Sequence, residues 1–346
     1  MTILHDPTAL NASSTPTHRP RRLRRTAALR RMVEEHRLSV DDLIAPLFVT
    51  ASEDERTPIT SMPGQYRWSV DGLVREATEL HTLGIPAIAL FPAIPDALKD
   101  ASASEGLNPD GLYPRAIRAV KAACPGLMVI TDVALDPFSS DGHDGLVRDG
   151  IVDNDATLAA MTQLAVVQAE AGADVIAPSD MMDGRVRAIR TALDGQGFSS
   201  VSILSYAVKY ASSFYGPFRE ALDSAPRQRA GIPTDKKTYQ MNPANVREAL
   251  RECELDVDEG ADLLMVKPGL PYLDVIRYLR DRLPTHPLVA YNVSGEYAML
   301  KAAAQNGWLD EKPAVLEALL GFKRAGADLI LTYHARAAAE WLAGRA

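Results

Sequence analysis

From residue 42 onward the chain alternates short apolar runs with stretches of helical spacing, and it does so eight times. The runs are residues 42–49, 85–92, 127–135, 174–180, 200–208, 262–268, 287–294 and 328–335. Such alternation demands a parallel sheet, because each helix returns the chain to the same end before the next strand begins. Eight units in one chain favour a closed (β/α)8 barrel, the TIM barrel of the α/β class, over an open sheet. The tripeptide Gly-Ala-Asp introduces three of the strands, at residues 172–174, 260–262 and 326–328. Glycine suits the position just past a helix, where a left-handed conformation stops the helix before the strand. The predicted organisation is an N-terminal arm, residues 1–36, ahead of a barrel, residues 37–346.

The arm and the long connections carry the remaining organisation. Residues 1 to about 18 are rich in Thr, Ser, Asn, Pro and His without periodicity, and are expected to be mobile or ordered only by a neighbouring subunit. Arg19, Arg21, Arg22, Arg24, Arg25, Arg30 and Arg31 then cluster ahead of the first strand. They read either as a nucleic-acid arm or as an oligomerisation arm meeting acidic surface on a partner. The net charge of −8 favours the second and argues against a nucleic-acid partner. No apolar stretch approaches the length of a membrane span, so no membrane partner is expected. Cys124 and Cys253 stand far apart, which suggests neither a disulfide framework nor a thiolate zinc site. The start lacks the apolar core of a secretory signal, and Asp6 and its prolines speak against a transit peptide, so a cytoplasmic address is expected. The connections at residues 136–155 and 211–245 are far longer than most strand-to-helix turns and mark functional loops or lids.

Lys267 follows the apolar residues 263–266 and precedes Pro268, which puts a lysine at the carboxyl end of a buried strand, where barrel enzymes place catalytic side chains. A desolvated lysine loses its proton more readily and can attack a carbonyl to form a Schiff base. A solvated lysine or half of a structural ion pair is the alternative. Lys209 closes the preceding strand at the matching position. Two amines at the same end of neighbouring strands depress each other's proton affinity, and at least one becomes a nucleophile at neutral pH. Asp132, at the end of the third strand, is a candidate general acid/base or lysine partner, the alternative being a buried carboxylate satisfied by amides. Arg219, Arg227, Arg229, Lys236 and Lys237 punctuate the long loop after the fifth strand and could clamp a carboxylate, while Ser294 ends strand seven and Tyr333 lies late in strand eight.

With its segments SYAVKYASSFYGPFRE, DKKTYQMNPAN, EGADLLMVKPGLPYLD and AYNVSGEYAML, the chain resembles the porphobilinogen synthase (5-aminolevulinate dehydratase) family from about Arg21 to Leu342. The resemblance implies a lyase that condenses two 5-aminolevulinate molecules into porphobilinogen with loss of two waters, in tetrapyrrole (heme) biosynthesis. It implies imines at Lys267, for the substrate that becomes the propionate side, and at Lys209, for the acetate side. Arg219 and Lys236 would hold the acetate-side carboxylate, Ser294 and Tyr333 the propionate-side one, and Asp132 would assist proton transfer. A lid from about Ser212 to Tyr239 would keep water from the imines.

Where the zinc-dependent branch carries a cysteine triad, this chain has Ala134, Asp136 and Asp144. Carboxylates suit a hard cation and replace thiolates poorly around zinc, so no catalytic zinc is expected. The resemblance is to the magnesium-responsive branch, whose allosteric Mg²⁺ ligand corresponds to Glu252, with an ordinary exposed helix carboxylate as the alternative there. Asp136 and Asp144 either bind an ion or line the pocket and pair with arginines. The resemblance also implies a homo-octamer in which the arm wraps a neighbouring barrel.

Overall fold

The computed structural model describes residues 18–344, which divide into two units at Arg37/Leu38. Apart from His18, the expectation for the first 18 residues lies outside the described residues. The described part of the first unit holds a 3-10 helix, Pro20–Arg24, and a short α-helix, Ala27–Met32, whose first turn is capped by the Thr26 hydroxyl accepting from the Leu29 amide at 3.1 Å.

The second unit is the barrel. Its strands are β1 (Leu43–Thr50), β2 (Ala87–Ala93), β3 (Met128–Val133), β4 (Val175–Pro178), β5 (Ser202–Lys209), β6 (Leu263–Lys267), β7 (Leu288–Asn292) and β8 (Leu329–Thr332). All are parallel and pair with their sequence neighbours. The ring closes where Leu43 and Ile44 of β1 face Ile330 and Leu331 of β8. The predicted closed barrel is therefore the observed one.

Period-two alternation sorts the strand residues between two cores. In β1, Leu43, Ala45, Leu47 and Val49 face the surrounding helices, whereas Ile44 and Phe48 face the barrel interior with Phe91, Ile130, Tyr206, Met265 and Tyr291. The Gly-Ala-Asp echo has a structural cause on both sides. Gly172, Gly260 and Gly326 lie at φ 101°, 105° and 118°, a conformation that side chains disfavour. The aspartates Asp174, Asp262 and Asp328 accept hydrogen bonds from the backbone amides of Val129, Ile203 and Leu288, each at the start of the preceding strand. Each repeat thus stops a helix and ties the incoming strand to its neighbour.

The long connection after β3 carries a two-residue hairpin, Val147–Arg148 with Ile151–Val152. That after β5 holds the helix Gly216–Leu222 and then irregular backbone as far as the helix Arg247–Asp258. Among the described residues no helix is long and apolar enough to cross a membrane.

Candidate active site

The carboxyl ends of β3, β5 and β6 build the site. In β6, Met265 packs inside the barrel and Val266 outside, so Lys267 returns inward by simple alternation. In β3 the same parity carries Asp132 inward after Ile130. β5 does not follow it. Leu204 and Tyr206 face inward, so strict alternation would turn Val208 inward and Lys209 out toward the helices. The pairing instead shifts between Leu264, opposite Ser205, and Val266, opposite Val208. This bulge adds one residue to β5, leaves Val208 in the outer core and swings Lys209 inward, in register with Lys267.

The two amines then meet different surroundings. Lys267, 5% exposed, projects into four aromatic rings, with Nζ 4.7 to 5.2 Å from the centroids of Tyr291, Phe218, Tyr206 and Tyr215. Burial, seconded by the Lys209 cation, lowers its pKa to about 7, against the pull of Asp132, Asp144 and Asp136. Lys209 Nζ donates to Asp144 Oδ2 at 2.8 Å and to the Ser179 carbonyl. Asp144 is shared, since its Oδ1 accepts from Lys236 Nζ at 2.6 Å, and Lys236 reaches Asp136 Oδ2 at 3.2 Å. Burial opposes ionisation of Asp144, but the two lysines outweigh it and hold the carboxyl well below the usual range. For Lys236 burial pulls the other way, and Asp136 and Asp144 raise its pKa. Asp132 has the reverse character of Asp144. Burial and the nearby Asp136 push it up to about 7, and its Oδ1 has no hydrogen-bond partner among the described residues.

A cavity of about 30 Å³ joins Lys209, Lys267, Arg219, Lys236 and Asp136, with Phe218 and Tyr215 in its walls. Arg219 enters no ion pair among the described residues and lies over Tyr215, its Cζ 6.0 Å from the ring centroid. The lid is closed on this cavity. Phe218 lies against Phe91 and Phe48, at 5.1 and 5.7 Å between centroids, and its amide donates to Ser294 Oγ at 3.0 Å. His143, fully buried, joins Tyr239 Oη at 3.0 Å to the Pro233 carbonyl at 2.8 Å and so fastens the lid to the loop after β3.

Of the residues singled out in the sequence, Lys209, Lys267, Arg219 and Lys236 share the cavity, and Asp132 lies close enough for each lysine to act on its carboxyl. Ser294 and Tyr333 do not line it. Ser294 opens the helix Ser294–Gln305 instead of ending a strand, and Tyr333 Oη, just past β8, meets Tyr291 Oη at 2.9 Å. Asp136 and Asp144 pair with lysines, not with arginines, because the lid brings Lys236 between them. Arg229 takes Asp141 at 2.5 Å and Arg227 takes Asp223 at 2.7 Å. Sequence reasoning missed the aromatic walls, of which Tyr206 and Tyr291 were available from strand parity and Phe218 and Tyr215 were not.

A family model described as delta-aminolevulinic acid dehydratase matches residues 17–341. The chain belongs to that family. It is 58% identical over 331 residues to the chloroplastic delta-aminolevulinic acid dehydratase of Selaginella martensii, covering 95% of this chain and 78% of that one. With the enzyme of Bradyrhizobium diazoefficiens it shares 56% identity over 324 residues, 94% of this chain and 90% of the relative. A crystal structure of the Toxoplasma gondii enzyme, in complex with its reaction product porphobilinogen, superposes with a TM-score of 0.91 at 54% identity, covering 94% and 92% of the two chains. The chain is therefore a lyase of porphyrin biosynthesis, condensing two 5-aminolevulinate molecules into porphobilinogen with release of two waters, on the barrel the sequence predicted.

Proposed function

We propose that the reaction proceeds through imines on both Lys267 and Lys209, and the observation that carries this is their in-register pairing on the inner face. With its pKa lowered to about 7, Lys267 can lose its proton near neutral pH and attack a ketone carbon. Dehydration of the adduct gives an iminium, an electron sink that acidifies the adjacent carbon. Asp132, with a pKa of about 7 and an unpartnered oxygen, suits both removal and return of that proton. Arg219 and Lys236 hold the acetate-side carboxylate. The substrate carboxylate replaces part of the Asp136–Asp144 pairing of Lys236 when it enters. Ser294 and Tyr333 hold the propionate-side carboxylate once the Phe218 amide and Tyr291 Oη give them up. Borohydride reduction in the presence of 5-aminolevulinate, followed by peptide mapping, tests this reading; adducts are expected at Lys267 and Lys209, and adducts at neither would refute it.

The metal belongs to the same proposal. Asp136 and Asp144 already surround ammonium groups, which does not fit a cation at the lysines, and the absence of thiolates there does not fit zinc. Glu252 is half-buried in a groove with Asp183 and Glu248, and burial raises its pKa against the pull of Arg185. A carboxylate ligand with acidic neighbours and room for water fits Mg²⁺. Glu252 would hold an allosteric Mg²⁺ that neutralises this groove, as in the magnesium-responsive branch. Loss of Mg²⁺ stimulation in Glu252→Ala, with basal activity kept, is the expected result; stimulation intact would remove Glu252 as the ligand. We further propose a cytoplasmic homo-octamer held by the arm. Deleting residues 1–36 is expected to lower the sedimentation coefficient, and an unchanged value would count against it.

A further inference from the structure

Glu296 is fully buried, yet it enters no ion pair among the described residues. It stands in the first turn of the helix Ser294–Gln305, where an exposed polar cap would stabilise the amides without the cost of burying a carboxyl. Its side chain instead turns back to the loop leaving β6. Oε1 accepts from the Gly269 amide at 3.0 Å and from the Leu270 amide at 3.2 Å, and Oε2 accepts from Asn292 Nδ2 at 2.6 Å. Asn292 Oδ1 accepts in turn from Thr332 Oγ1 at 2.9 Å, and Thr332 Oγ1 accepts from the His334 amide at 3.1 Å. Burial pushes the carboxyl up to about 8, while Asn292 and the amides pull it down.

The two amides that Glu296 grips follow Lys267 by two and three residues. The Lys267 carbonyl is held on its other side by the Tyr210 amide at 3.0 Å and Tyr215 Oη at 3.1 Å. Gly269 has no slack, since a Cβ there would come within 2.5 Å of the Phe322 ring and 3.0 Å of the Tyr291 carbonyl. Through Asn292 the same carboxyl also meets the end of β7, two residues before Ser294 opens the next helix. We propose that Glu296 is the positioning residue of Lys267: it locks the β6 exit loop to the ends of β7 and β8, sets the amine within its aromatic walls, and holds Ser294 at a constant distance from it.

This assignment rests on Lys267 forming an imine. The test reads the ratio of Lys267 to Lys209 borohydride adducts per folded protein, alongside kcat and KM, in wild type, Glu296→Asp and Glu296→Gln. Aspartate keeps the carboxyl group but falls one methylene short of the two amides. Misplacing a reacting group by about 1 Å can cost about 100-fold, so a fall of about tenfold or more in the Lys267 adduct and in kcat is expected, with the Lys209 adduct retained. Glutamine keeps an acceptor for both amides once the Asn292 amide turns over to receive its nitrogen, and is expected to restore most of the ratio. A residue that merely stabilises the fold would lower both adducts together with the folded fraction, and an unchanged ratio in folded Glu296→Asp overturns the proposal. If that variant does not fold, Asn292→Ala, which removes the donor to Oε2 and the acceptor of Thr332 Oγ1 but leaves both amides on Oε1, is expected to lower the ratio about threefold. An unchanged ratio there is equally fatal. Wild type without a Lys267 adduct would sink the imine reading itself, separately from the role of Glu296.

Discussion

Replacing Lys267 by methionine should stabilise the protein while abolishing its chemistry, and the gain should depend on pH in a defined way. The folded lysine has a pKa of about 7 against 10.5 for the ordinary side chain, chiefly through burial. The folded state therefore disfavours a proton that the unfolded chain keeps. The span of about 3.5 pH units at about 1.4 kcal/mol each, less a small term because the group is half-titrated, leaves about 4 kcal/mol of destabilisation at pH 7. This figure is net of the attraction of Asp132, Asp144 and Asp136, which already oppose the shift. A methionine of similar volume removes the penalty. With an unfolding entropy of about 2.1 cal/mol/K per residue over roughly 310 residues, the melting temperature should rise by about 6 °C. The sign reverses nothing at lower pH, where the penalty is complete below pH 7. As pH rises from 7 toward 10.5 the unfolded chain loses its extra proton, wild type gains stability, and the advantage of Lys267→Met shrinks toward zero. Thermal unfolding at one protein concentration between pH 6.5 and 9.5 checks both parts, concentration being fixed because assembly shifts melting. A variant no more stable than wild type at pH 7, or a gain that does not change with pH, would refute the desolvation argument.

Other perturbations separate the site's parts. Asp144→Asn leaves Lys209 buried with a neutral side-chain partner and Lys236 with Asp136 alone, so a loss of about 3 kcal/mol by denaturant unfolding and a fall in kcat of at least tenfold are expected. Equal stability would mean that the lysines find other partners. Phe218→Ala admits water to Lys267, and the midpoint of its borohydride trapping against pH should move upward from about 7. A stationary midpoint would show that Phe218 does not control desolvation. Arg185→Met removes the partner of Asp256, at 3.0 Å, and of Asp180, whose pKa burial raises to about 6; a cost of about 3 kcal/mol is expected in thermal unfolding, with little change in KM.

What the sequence determined by itself is the repeat and the parity of most strands. Eight apolar runs separated by helical stretches leave a parallel barrel as the economical solution, and the Gly-Ala-Asp echo encodes both a helix stop and a tie to the neighbouring strand within three residues. Parity also turned Asp132 and Lys267 inward, because short-range backbone geometry is set by local chain stereochemistry. Lys209 is the counterexample. Alternation points it outward, and only the bulge opposite Leu264–Val266, a product of pairing between strands distant in sequence, brings it beside Lys267. The same holds for the charges and walls. Asp144 lies 65 residues from Lys209 and 92 from Lys236, and nothing local distinguishes a carboxylate that will bridge two lysines from one that will bind an ion or an arginine. The aromatic enclosure that lowers the Lys267 pKa, the closure of Phe218 over it and the grip of Glu296 beneath it arise from chain closure and burial. Desolvation and Coulomb energy depend on distances in space, and those were decided by the tertiary structure.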